Sequence, residues 1–76
     1  MSNEELKTII SKVFSVPLGE VGDNASVDNI EQWDSLNHIK LILWVENSFK
    51  VKFTSGEIEN ATSLESIRSL LKNKGA

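Results

Sequence analysis

The sequence predicts an all-α fold: a four-helix bundle with a long loop between helices one and two and a short third helix. Three observations carry this. Apolar residues recur at helical spacing in three segments, and no segment alternates like a strand. Helix-start signals of the form Ser/Thr-x-x-Glu occur at Ser2–Glu5, Thr54–Glu57 and Thr62–Glu65. The chain has 76 residues, 39% of them apolar and 25% charged, which suits one small globular domain over 1–76.

Helix one follows from Leu6, Ile9, Ile10 and Val13, spaced i, i+3, i+4, i+7. Ser2 can cap its free N–H groups while Glu5 reaches back. Pro17 cannot continue a helix, so the end falls near Ser15. Residues 17–33 form a connection much longer than the usual 4–6 residues, which invites a functional reading. Val21, Val27 and Ile30 are candidates to pin it to the core, and Asn24-Ala25-Ser26 and Asp28-Asn29 suggest local turns. Helix two begins at Asp34 or Ser35, with Asp34 as N-cap, and runs to about Phe49. Lys50 to Phe53 reads as extended. Thr54–Glu57 opens short helix three. Thr62–Glu65 opens helix four, with Leu64, Ile67, Leu70 and Leu71 on one face, Lys72 and Lys74 near its end and Gly75 to close it.

Composition excludes several classes of function. There is no cysteine, hence no encoded disulfide, zinc–thiolate cluster or thiol nucleophile, and the single histidine excludes a His-rich metal site. The net charge of −3 and pI near 5.0 leave no basic footprint for nucleic acid. The longest apolar run, Leu41 to Val45, is far below the roughly 20 residues of a membrane span. No membrane insertion is expected. The acidic start, without a signal peptide's charged and apolar regions, sets the expectation of a cytoplasmic protein; a monomer is also expected.

Helix two carries more apolar surface than one core face needs. At about 100° per residue, with Leu36 at zero, His38, Leu41, Ile42, Val45 and Phe49 fall between roughly 140° and 240°. Leu36, Ile39 and Leu43 fall between roughly 300° and 360°. The first stripe suits the core. The second is either covered by helix three or left as a partner-docking face with i, i+3, i+7 anchors. Trp44, near 80°, lies off both stripes and is either an interface anchor or packed flat on the long loop. Trp33 is expected at the loop–helix junction. Ser35 and His38, at i and i+3, could approach as a nucleophile pair, but no third group or oxyanion site is evident. His38 reads instead as a semi-buried structural residue.

Asp34-Ser35-Leu36 alone is ordinary helix capping. Its context is more specific: it follows a long loop and opens an amphipathic helix near mid-chain. With Asn24-Ala25-Ser26 upstream, Phe49, the Val51–Phe53 piece and the short third helix downstream, nearly the whole chain resembles a discrete acyl carrier protein. The resemblance implies a carrier without catalysis of its own. Ser35 matches the family serine that receives a covalent 4′-phosphopantetheine arm from coenzyme A, with Asp34 and Leu36 beside it. A separate phosphopantetheinyl transferase would install the arm, and acyl-loading and acyl-transfer enzymes would be the other partners.

The same resemblance implies an enzyme-facing stripe of Leu36, Ile39 and Leu43, with Lys40 and Trp44 at its side. Phe53, Ile58 and Ala61 match positions near the family's acyl-sheltering region. Where typical fatty-acid-synthesis carriers have an acidic helix two, this chain has Asn37 and Lys40, with Glu46 the only acid within the helix. That departure, with the Trp33-Asp34-Ser35-Leu36 form and His38 following, is closer to specialised carriers of secondary-metabolite or surface-polysaccharide pathways. The competing reading is an unmodified helical interaction module docking through Leu36, Ile39, Leu43 and Trp44.

Overall fold

The computed structural model describes residues 3–75, so the Ser2 capping box lies outside the described residues. Four helices follow in order: α1 (Asn3–Phe14), α2 (Ser35–Phe49), α3 (Ser55–Asn60) and α4 (Leu64–Asn73), with a 3-10 turn at Leu18–Glu20 inside the long connection. Helices α1, α2 and α4 pack around one core, as the three amphipathic segments predict. Leu6 and Ile10 of α1, Leu41, Ile42 and Val45 of α2, and Leu64, Ile67 and Leu71 of α4 are all essentially inaccessible to solvent. Each such side chain contributes about 1.5–3 kcal/mol of transfer free energy, which is how a chain this short holds together.

Both long helices end the same way. Ser15 (φ 56°) and Lys50 (φ 58°) adopt left-handed backbone after α1 and α2. The following amides then fold back: Val16 N–H donates to Ser11 O and Val51 N–H to Glu46 O, each at 3.1 Å. These bonds satisfy carbonyls that a helix end leaves orphaned. After α2 the chain runs on without a strand partner among the described residues, and Phe53 N–H donates to the Glu46 carboxylate at 2.8 Å. Helix α3 starts with the expected reciprocal box, Thr54 N–H to Glu57 Oε1 at 2.8 Å and Glu57 N–H to Thr54 Oγ1 at 3.2 Å. Helix α4 closes at Gly75 (φ 80°), where a residue without Cβ is suited.

Two expectations need correction. The α4 cap is Ser63, not Thr62: Ser63 Oγ accepts from Ser66 N–H at 3.0 Å. The long loop sets this register. Ser26 pairs with Ser63 in an isolated antiparallel bridge, Val27 N–H donates to Thr62 O and Leu64 N–H donates to Ala25 O. Residue 63 is therefore the last extended one, and the helix starts one residue later than the Thr62–Glu65 spacing suggests. Val27 is exposed rather than a core pin. The turn around it points inward at other residues: Ala25 and Ile30 are buried, while Ser26 N–H bonds Asn29 Oδ1 and Asn29 Nδ2 donates to Asn24 O. Val21 and Ile30 do pin the loop.

Candidate functional site

The loop delivers Trp33 into the core immediately before α2. Its ring is buried and packs on Phe14, with centroids 5.3 Å apart. With Trp33 fixed, the next residue turns the chain into the helix. Asp34 is extended (ψ −178°), and its Oδ1 accepts from Asn37 N–H at 2.9 Å. Asp34 O accepts from His38 N–H at 2.8 Å. The cap thereby uses Asn37 N–H, one of the four donors that the α2 start leaves without an intrahelical partner, while the His38 bond is the helix's own first one. The N–H groups of Ser35 and Leu36 have no partner among the described residues. Ser35 is exposed on this first turn, next to free donors and the positive end of the helix dipole.

His38 does not serve Ser35. Trp33 Nε1–H donates to His38 Nδ1 at 2.9 Å, and His38 Nε2 lies 2.8 Å from Ile58 O. The indole can only donate and the carbonyl can only accept. The tautomer that fits both contacts carries its proton on Nε2. Both ring nitrogens are occupied, so no nitrogen is left to activate a hydroxyl. The pair read at i, i+3 is thus not a nucleophile pair. His38 instead ties α2 to α3, and the structural expectation for it holds.

An open groove of about 400 Å³ lies beside Ser35. It is lined by Trp33, Asp34, Ser35 and His38 together with Val27, Glu59 and Thr62. Sequence reasoning missed Val27, Glu59 and Thr62 here. They come from the loop, the end of α3 and the turn before α4; the Val27–Thr62 and Ser26–Ser63 pairings join the loop to that turn, and the His38–Ile58 contact holds α3 beside α2. Phe53 and Ala61 are in the core, with Ile58 packed against it, and none of the three lines this groove. Lys74 Nζ sits 5.3 Å over the Phe53 ring.

The second stripe of α2 is uncovered. Leu36 is 68% exposed, Ile39 48%, Leu43 55% and Trp44 49%. Helix α3 does not reach it. Trp44 does not lie on the loop either; it borders a shallow groove formed by α2 alone, with Lys40, Leu43, Asn47 and Ser48.

These features define a small helical scaffold that displays an exposed serine at the start of α2 beside an apolar face. A family profile described as "Phosphopantetheine attachment site" matches residues 4–71. The chain is also 28% identical over 76 residues to the acyl carrier protein of Buchnera aphidicola subsp. Schizaphis graminum, covering 97% of this chain and 96% of that protein. The chain belongs to the phosphopantetheine attachment family, that of the acyl carrier proteins, whose cofactor is a covalently held 4′-phosphopantetheine. The start of α2 fits that group: an accessible hydroxyl, two unspent N–H donors for a phosphodiester and an adjoining groove.

Proposed function

We propose that Ser35 carries the arm and that the protein presents acyl groups to partner enzymes. The observation that carries this reading is the exposed Ser35 hydroxyl on the first turn of α2, inside the family-matched span and beside unspent backbone donors. When bound, 4′-phosphopantetheine supplies a terminal thiol that holds a cargo as a thioester. The chain's own residues hold and expose. Asp34 caps α2, fixes the direction of Ser35 and offers a carboxylate to a basic group on the transferase. The N–H groups of Ser35 and Leu36 stabilise negative charge at the attachment point. Leu36, Ile39, Lys40, Leu43 and Trp44 form the enzyme-docking face. Phe53, Ile58 and Ala61 shelter a cargo only if the core between α2 and α3 opens, since Phe53 and Ala61 are buried in the closed form. The protein acts without catalysis of its own, its partners being a phosphopantetheinyl transferase and acyl-loading and acyl-transfer enzymes.

The test is intact-protein mass spectrometry after incubation with coenzyme A, magnesium and a promiscuous phosphopantetheinyl transferase. The expected result is one phosphopantetheine mass increment, localised by peptide fragmentation to Ser35. Folded protein that gains no increment, or gains it elsewhere, contradicts the assignment.

A further inference from the structure

The exposed C-terminal end of α2, taken with the residues just after it, has a charge opposite to that of the molecule. The chain carries a net charge of −3. Within α2 the charged side chains are Lys40 and Glu46. Glu46 is only partly exposed; its Oε2 accepts from Phe53 N–H at 2.8 Å, and it lines the same groove as Lys50 and Lys52, one negative charge against the three positive ones of Lys40, Lys50 and Lys52. Lys40, Lys50 and Lys52 are exposed. Lys40 borders the groove of about 460 Å³ that holds Leu43 and Trp44. Lys50 and Lys52 border an adjoining groove of about 380 Å³ on the other side of Leu43 and Asn47. The C-terminal half of the apolar face is thus edged by three lysines. Other carboxylates around α2 are Asp34 at its opposite end, Glu59, which lines the groove beside Ser35 and His38, Glu57, which accepts from Thr54 N–H and Lys74, and Glu5 of α1, across a separate groove with Ser48 and Phe49.

We infer that this face docks on protein partners whose apolar groove is rimmed by carboxylates where it receives the Leu43–Lys52 half of α2. Charge complementarity at a rim steers encounter and rejects partners of like charge more than it adds affinity. A basic rim would set like charges beside Lys40, Lys50 and Lys52, which outnumber the single charge of Glu46. The inference deepens the proposed carrier role and rests on it for the need to dock on enzymes. The test uses the unmodified chain, so its failure leaves the Ser35 mass test unaffected.

Two synthetic amphipathic helical peptides with identical apolar faces, one flanked by Glu and one by Lys, are titrated into isotope-labelled protein and followed by amide chemical shifts. The expected result is shifts along Leu36–Lys52 and binding of the Glu-flanked peptide about tenfold tighter at low salt, the ratio shrinking towards one as salt rises to about 0.5 M. The double variant Lys40→Glu/Lys52→Glu should reverse the preference, with an unchanged thermal melt showing that it is folded. Equal binding of the two peptides, tighter binding of the Lys-flanked one, or no binding of either overturns the inference. So do concentration-dependent shifts of this face without peptide, which would mark a second copy of the chain as its occupant.

Discussion

Trp33 Nε1–H donates to His38 Nδ1 at 2.9 Å, and that bond decides what both residues do. It holds the indole against Phe14 and sets the imidazole proton on the nitrogen that faces Ile58 O. Loop, α2 and α3 are thereby joined at one ring beside Ser35. His38→Ala removes both partners at once and leaves the indole N–H and the Ile58 carbonyl unpaired in a part-buried place. A loss of about 1–3 kcal/mol is expected in chemical denaturation. A loss below about 0.5 kcal/mol would mean that water replaces the ring without cost.

The two stripes of α2 should separate in mutagenesis. Ile10→Ala, in the core that α2 covers, is expected to cost about 2–5 kcal/mol. Phe49→Ala should cost less than that, because Phe49 is packed at the edge of the core and half-buried. Leu43→Ala should change stability by no more than about 0.5 kcal/mol, as for an exposed site, and should weaken enzyme docking instead. Equal destabilisation by Leu43→Ala and Ile10→Ala in thermal melts would refute the division.

The start of α4 gives a sharper test of local register. Ser63→Ala is expected to cost about 0.5–2 kcal/mol through loss of the cap to Ser66. Thr62→Ala, one residue earlier, should cost less than about 0.5 kcal/mol. Denaturant midpoints of the two variants decide it, and the opposite order would restore Thr62 as the cap.

The Lys7–Asp23 pair, 2.9 Å apart, ties α1 to the loop. The hydrogen bond from Lys7, with a second from Asn3, holds the Asp23 carboxyl below its ordinary value, and the bond to Asp23 holds the Lys7 ammonium above its own. A depressed carboxyl stabilises the fold fully above its unfolded value and loses that contribution as pH falls through the native one. A raised ammonium stabilises fully below its unfolded value and loses that contribution as pH rises through the native one. Lys7→Met should therefore flatten both the acid and the alkaline ends of the melting-temperature profile, with a small effect because the pair is at the surface and screened. An unchanged acid end would show that Asp23 owes its shift to other groups.

Much of the fold is legible in the sequence because its causes are local. Pro17 stops α1, Asp34 starts α2, Thr54 and Glu57 cap α3, and the spacing of Leu64, Ile67 and Leu71 selects the buried face of α4. Ser35 is legible for the same reason, since it directly follows a cap and precedes an amphipathic helix. What the sequence hides is tertiary. Nothing local to Thr62 reveals that the loop pairs with Ser63 and shifts the helix start. Nothing local to Val27 or Glu59 places them beside Ser35, and the projection that puts His38 towards the core does not disclose an indole on one nitrogen and a carbonyl on the other.

The central claim is that Ser35 carries the prosthetic arm, and its most direct measurement is paired mass spectrometry of the parent chain and Ser35→Ala under the same transferase conditions. The parent should gain one phosphopantetheine increment and the variant none, with unchanged melting curves showing both folded, as expected for an exposed side chain. An increment on Ser35→Ala, or none on the folded parent, would contradict it.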